Sequence, residues 1–372
     1  MRDIKDARQD IDRIDTEMIR LFEERMKASK DVVEYKKAHH MDIFQKDRES
    51  EVINKNLAKL EDKSLEFYAR NFIISNMNLS KRYQASFIEG KPMHFKAPKK
   101  DGVIVGYQGV PGSFSYAALN SFFGRVVDVN YPHFEDVFIA LKQGEINYGV
   151  LPLENSSTGA INDNYDLITK YGFRIIGEQS VNVEQCLLGV KGATLDTIQT
   201  VYSHPQGLLQ CEGFLDKYHM KQETYPNTAM AAKLVAVMMD PTLGAIASRE
   251  AAGLYNLEVV AEAVQDIGEN HTRFIIIGKD IEISDDSSRL SMVFTLRHEV
   301  GALYEVMQIV QAHRINMARI ESRPLPGNPW EYYFYLDLDG NLQDYNVQSC
   351  VEELRACTYT FRLLGNYERH AG

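Results

Sequence analysis

The nine residues Asp266-Ile267-Gly268-Glu269-Asn270-His271-Thr272-Arg273-Phe274 lie between two apolar runs, 257–264 and 274–277. Both runs have the composition of strands. The layout predicts strand, polar turn, strand, which in an α/β fold sets side chains at the mouth of a sheet, where ligands bind. Thr272 brings a hydroxyl that donates or accepts, and Arg273 a fixed cation beside it. Taken alone, Asn-His-Thr is equally a plain turn with an arginine capping a strand. The surrounding chain decides between the two.

Residues 102–280 alternate strand and helix signals, the pattern of an α/β unit. The strand at 103–107 runs into Gln108-Gly109-Val110-Pro111-Gly112-Ser113-Phe114-Ser115 and then a helix. A strand, a Gly/Ser turn and a helix together present backbone N–H groups to an anion. The strand at 148–151 is followed by Pro152-Leu153-Glu154-Asn155-Ser156-Ser157-Thr158-Gly159, and a strand near 200–202 by Ser203-His204-Pro205-Gln206-Gly207-Leu208-Leu209-Gln210-Cys211. Each polar cluster sits just after a strand, where open α/β sheets place their clefts.

With Thr272-Arg273-Phe274, these stretches resemble the prephenate dehydratase family, which carries four such motifs in this order. The resemblance implies a two-lobed α/β domain over 102–280, like a type II periplasmic binding protein. It implies Thr272 as the hydrogen-bonding acid and Arg273 as the carboxylate anchor. Glu154, Asn155, Ser203, Gln206 and Gln210 are expected to line the cleft, with Glu154 orienting neighbours or feeding protons. His204 and Cys211 invite a nucleophile pair, but loss of water and CO₂ from prephenate needs none, so they are read as packing groups.

Residues 1–90 read as all-helical. Ile11, Ile14, Met18, Leu21, Phe22, Val32 and Val33 follow a 3.6-residue rhythm, and no Pro or Gly interrupts residues 1–89. Helices are predicted over 3–39, 46–60 and 65–88, the first long enough to suggest pairing with another chain. Arg25 and Lys36 are 11 residues apart and share a face. Arg8 lies 17 residues before Arg25, roughly 25 Å along the axis, too far to reach the same small ligand within one chain.

This region resembles the all-helical class of chorismate mutases. In that resemblance Arg8 (from a partner chain), Arg25 and Arg48 hold carboxylates, and Lys36 and Gln84 face the ether oxygen. Glu49 and Gln45 take the ring hydroxyl, and Ser80 lies in the substrate site. Gln45 departs from the family's usual Asp. The rearrangement is pericyclic, so the site needs only to hold a compact conformer and stabilise charge on the ether oxygen.

A Pro- and Lys-containing linker is expected at 90–101 and a Ser/Asp-rich one at 284–288. Beyond it, strands at 290–296, 317–322, 331–338 and 359–364 and helices at 301–313 and 345–356 give a ferredoxin-like βαββαβ order over 289–366. Gly301-Ala302-Leu303 and Glu321-Ser322-Arg323-Pro324 resemble the effector-binding segments of ACT regulatory domains. The effector implied is L-phenylalanine. The fold class is therefore multidomain: all-α, two-lobed α/β, and ferredoxin-like.

Composition bounds the rest. The chain has 372 residues, 44% hydrophobic and 25% charged, enough for two or three domains. A net charge of −11 argues against a nucleic-acid surface. Cys186, Cys211, Cys350 and Cys357 form no C-x-x-C pair and read as reduced thiols of a cytoplasmic protein. No apolar run reaches membrane-spanning length, so no membrane association is expected. The resemblances imply chorismate and prephenate as substrates, no metal or cofactor, and a homo-oligomer of at least two chains.

Overall fold

The computed structural model describes residues 2–39, 46–85, 87, 95–157, 159–266, 268, 270–325, 327–328 and 330–370; the side chains of 46–49, 78, 81–82, 85, 162 and 370 are outside the description. The N-terminal third is helical: α1 (Ile4–Ala38), α2 (Lys46–Leu57) and α3 (Glu66–Ala85). Asp3 starts α1 by accepting the Lys5 N–H at 2.9 Å. Asp62 accepts the Ser64 N–H at 2.9 Å in the turn before α3. Only Ser29 and Val33 of α1 are buried, while Ile4, Ile11, Ile14 and Met18 remain 43–64% exposed. The apolar stripe therefore has little to cover it within one chain.

Two sheets follow. The first lobe contains β1 (Ile104–Gln108), α4 (Phe114–Phe123), β2 (Val127–Tyr131), α5 (Phe134–Gln143), β3 (Tyr148–Asn155), β4 (Gly159–Ala160), α6 (Asn162–Tyr171) and β5 (Arg174–Asn182). The second contains β6 (Cys186–Gly189), β7 (Thr200–Ser203), α7 (Pro205–Leu209), α8 (Glu212–Lys217), β8 (Lys221–Thr224), α9 (Thr228–Met238), β9 (Leu243–Ala247), α10 (Arg249–Tyr255) and β10 (Glu258–Ala261). β11 (His271–Gly278) then returns to the first sheet, between β5 and β3 and antiparallel to both.

The chain thus crosses between lobes twice, at 183–185 and again after β10. The crossings bond to each other: Val183 N–H donates to Asn270 O at 2.6 Å, and Val264 N–H to Gln185 O at 2.9 Å. The polar stretch between the two apolar runs joins β10 of the second sheet to β11 of the first. Its last residues lie inside β11, because ladders to Asn155 and Val181 on either side claim Thr272.

The C-terminal layer is β12 (Arg289–Thr295), α11 (Ala302–Ala312), β13 (Met317–Pro324), β14 (Tyr332–Asp339), α12 (Tyr345–Cys357), β15 (Thr360–Tyr367) and a short β16 (Arg369–His370). Its four antiparallel strands run β13-β14-β12-β15, the ferredoxin-like order. Both faces of this sheet are covered. Met292, Phe294 and Leu336 pack with residues of α11 and α12, and Val293, Tyr335, Leu364 and Tyr367 share a core with the first lobe. β16 pairs with β5, extending the first lobe's sheet.

All four cysteines are free. Among the described residues, no helix is long and apolar enough to cross a membrane.

Candidate functional site

Between the lobes lies a cleft of about 340 Å³. The register of β11 on β3 decides what faces it. Thr272 is paired with Asn155 and Arg273 with Glu154, so the first pair shares one face and the second pair the other. Thr272 and Asn155 face the cleft, 8% and 6% exposed. Asn155 Nδ2 donates to Thr272 Oγ1 at 2.8 Å and to Asn270 Oδ1 at 2.7 Å, and its Oδ1 accepts the Ser157 N–H at 2.9 Å. With its oxygen accepting from Asn155, the Thr272 hydroxyl is left to donate into the cleft.

Three helices begin at this cleft. Ser113 caps α4, accepting the Tyr116 N–H at 3.3 Å. Asn227 caps α9, accepting the Ala229 and Met230 N–H groups at 2.8 and 3.4 Å. His204 caps α7 through Nδ1, with Pro205 at the first turn. The α4 turn requires glycine at Gly112, where φ is +88° and an added Cβ would sit 3.2 Å from the Ala251 backbone. Gln206 and Gln210 line the cleft from α7 and its C-cap. No described lining residue is an arginine, lysine or carboxylate. A bound anion there meets helix N-termini, amides and hydroxyls, whose partial positive charges suit carboxylates.

Three expected cleft residues lie elsewhere. Arg273 points from the back of β11 into the C-terminal layer. Its Nε donates to Glu178 Oε2 at 2.7 Å, Nη1 to Asp337 Oδ2 at 2.9 Å and Nη2 to the Tyr367 hydroxyl at 2.9 Å. Burial works against its charge, but Tyr367, Asp337 and Glu178 outweigh that and raise its pKa well above the usual arginine value. Glu154 shares this back face, 3.3 Å from Arg319 Nε and 3.9 Å from Arg273 Nη1. Ser203 is fully buried beneath Gly207 and donates to Ile246 O at 2.7 Å. The physical reasons are strand alternation for the first two and a backbone acceptor for the third.

Several lining residues carried no expectation: Gln185, Asn227, Thr228, Ser113 and Ser115. The two serines fall in the Gly/Ser turn already noted as presenting N–H groups to an anion. Asn227, directly before an apolar helix, carried a capping signal. Burial holds the His204 imidazole below its ordinary range. Burial pushes the Cys211 thiol up to about 12, leaving it neutral and unfit as a nucleophile.

In the helical region, Arg25 and Ser80 come together: Arg25 Nη1 donates to Ser80 Oγ and, at 2.9 Å, to Asn76 O. Arg25 borders an apolar hollow of about 530 Å³ with Met18, Phe22, Val52, Phe72 and Met77. Gln84, one turn beyond Ser80 on α3, has a buried Oε1 without a partner among the described residues. Lys36 is half-buried on α1 and Arg8 is exposed far along it. Gln45 lies outside the described residues, as do the side chains of Arg48 and Glu49.

At the C-terminal layer, Gly301 precedes α11 with φ +86°, and Ala302 and Leu303 border a hollow of about 400 Å³ with Leu296, Trp330 and Phe334. Glu321 and Arg323 do not line it. Their ladder partners are Tyr335 and Tyr333, on the first-lobe side of the sheet, where Glu321 meets Arg319 and Arg323 lies 3.3 Å from Asp166. Ser322 and Pro324, opposite Phe334 and Tyr332, take the hollow's side.

The prephenate dehydratase family profile matches residues 105–282, and that of type II chorismate mutases matches residues 7–85. A bifunctional chorismate mutase/prephenate dehydratase from Enterobacter agglomerans is 32% identical over 97% of this chain and 94% of its own length. An arogenate dehydratase from Petunia hybrida is 34% identical over 72% of each chain. The crystal structure of a prephenate dehydratase in complex with L-Phe from Arthrobacter aurescens superposes with a TM-score of 0.65 at 26% identity, covering 72% of this chain and 90% of that one.

Proposed function

The chain belongs to the bifunctional chorismate mutase/prephenate dehydratases, and from that premise we propose which residues carry each activity and how the second is controlled. It is an enzyme of aromatic amino-acid biosynthesis that rearranges chorismate to prephenate and converts prephenate to phenylpyruvate. The mutase unit is residues 1–90, the dehydratase 102–280 and the effector-binding layer 289–366, the last read as an ACT domain. The double crossing between lobes supports a binding-protein-like opening and closing of the dehydratase.

In the mutase, Arg25, held by Ser80 and Asn76, anchors a carboxylate, with Arg48 at a second. Lys36 and Gln84 stabilise charge on the ether oxygen, and Glu49 and Gln45 take the ring hydroxyl. Arg8 arrives from a second chain, and the exposed apolar stripe of α1 supports a dimer at least.

In the dehydratase, the observation that carries the assignment is the Asn155–Thr272 pair in a cleft ringed by helix N-termini. Thr272 donates to the leaving hydroxyl, and Asn155 holds Thr272 in the donating orientation. Gln206, Gln210 and the starts of α4 and α9 hold the carboxylates. An arogenate reading would need an anionic partner for the substrate's buried ammonium. No described lining residue is a carboxylate, which favours the keto acid. Steady-state turnover of the two substrates tests this: prephenate should be the better substrate, and equal or better use of arogenate would overturn the reading.

L-Phenylalanine is the effector. The hollow beside Gly301-Ala302-Leu303 offers a helix N-terminus for its carboxylate and aromatic walls for its ring. Glu321 and Arg323 transmit rather than bind: Arg323 ties this layer to Asp166 of the dehydratase. Calorimetry with phenylalanine should show saturable binding; none at millimolar ligand would remove the regulatory claim.

A further inference from the structure

Gln185 stands on the first crossing between the lobes. It is only 2% exposed, yet its side chain lines the dehydratase cleft. Its backbone is clamped by the second crossing: its carbonyl accepts from Val264, and its N–H donates to Gln265 Oε1 at 3.0 Å. Its Nε2 donates to Gln210 Oε1 at 3.2 Å. Its own Oε1 is buried and has no hydrogen-bond partner among the described residues. A buried acceptor left unmet in a ligand cleft calls for a donor from the ligand.

Several other acceptors in the cleft are already engaged. Thr272 Oγ1 accepts from Asn155, Gln210 Oε1 from Gln185, and Asn227 Oδ1, Ser113 Oγ and His204 Nδ1 from backbone N–H groups. Among the described residues lining the cleft, Gln185 Oε1 is the one buried side-chain oxygen left without a partner. The two carboxylates and the ketone of prephenate only accept, and its one donor is the ring hydroxyl, which is also the leaving group.

We propose that Gln185 Oε1 accepts the hydrogen bond from the ring hydroxyl of prephenate and so turns that oxygen's lone pairs toward the Thr272 hydroxyl. This rests on the dehydratase reading above and names the residue that selects the leaving group. Gln185 moves no proton. The ring C–O bond breaks with its electron pair going to oxygen, which takes one proton through Thr272 and leaves as water. The pair of the breaking C–CO₂⁻ bond becomes the new ring π bond, and CO₂ departs. The dianion and one proton thus give the phenylpyruvate monoanion, CO₂ and water.

The test uses the full chain and two ring-saturated prephenate analogues that cannot aromatise, one with the ring hydroxyl and one without. The wild type should bind the hydroxylated analogue about 10-fold more tightly. Gln185→Met should bind both alike, with kcat for prephenate reduced far more than KM is raised. Gln185→Glu, which keeps an acceptor oxygen, should retain the preference while binding both analogues more weakly, and it stands alone as the test if the Met variant does not fold. Equal weakening toward both analogues in Gln185→Met, with the preference intact, would reduce Gln185 to a support for Gln210 and overturn the proposal. Loss of the preference in Gln185→Glu would overturn it too. Failure of the underlying reading looks different: neither analogue would compete with prephenate in the wild type.

Discussion

Arg273 Nη1 lies 2.9 Å from Asp337 Oδ2, so the residue after the proposed acid is anchored in the C-terminal layer. Thr272 and Arg273 are neighbours in β11 and point to opposite faces. A shift of Asp337 therefore bears on the strand that carries Thr272. Removing one partner of a buried pair leaves uncompensated charge and costs about 3–5 kcal/mol. Asp337→Ala should lower the thermal midpoint and blunt inhibition by phenylalanine while leaving the mutase rate unchanged. An unaltered inhibition curve would cut the proposed link.

Asn155 orients Thr272 rather than touching the leaving group. Asn155→Leu should lower dehydratase kcat by about 100-fold with a smaller change in KM, within the range for a displaced acid. Thr272→Ser, which keeps the hydroxyl, should retain most of the activity. A Thr272→Ser variant as poor as Thr272→Ala would argue against hydrogen-bond donation.

The mutase should respond to a different residue. Arg25→Met removes the guanidinium that Ser80 and Asn76 hold in place. Loss of one charge-assisted carboxylate contact predicts at least about a 10-fold fall in mutase kcat/KM, with the dehydratase unchanged. A parallel fall in both activities would mean that the units are not independent.

The C-terminal layer approaches the first lobe backbone to backbone. An added Cβ at Gly365 would collide with the Ile175 carbonyl oxygen. Gly365→Ala should therefore open this seam, seen as faster amide exchange in β5 and β15. Unchanged exchange would show that the contact yields at little cost.

His204 sets a pH dependence. Burial depresses its folded pKa, and its Nδ1 accepts from Gln206 N–H only when unprotonated. Because the unfolded chain takes up the proton first, the contribution to stability is full above about 6.5 and is lost as pH falls from there through the folded value. Between about pH 7.5 and 5.5 the wild-type melting midpoint should fall more than that of His204→Asn, which keeps a cap acceptor. Identical slopes would contradict this.

Much of this architecture is legible in the sequence because local signals and packing agree. The apolar rhythm predicts a helix over 3–39, and α1 forms at Ile4–Ala38. The C-terminal βαββαβ order follows from clean alternation and turn residues. The Asp266–Phe274 stretch was harder. Asn-His-Thr has turn composition, but two flanking ladders draw His271 and Thr272 into a strand, and a strand separates Thr272 from Arg273 by one face. Glu154 and Asn155 part for the same reason. Gln185 gave no local signal, since its place depends on where two crossings meet. An arginine buried against another domain's Asp337 is likewise a long-range fact that no window of sequence contains.

The most direct measurement gives chorismate to the purified full-length Thr272→Ala variant and follows prephenate and phenylpyruvate together. Prephenate should accumulate at the wild-type mutase rate with almost no phenylpyruvate, whereas the wild type carries the carbon through to phenylpyruvate. Phenylpyruvate formed by the variant at the wild-type rate would contradict the account.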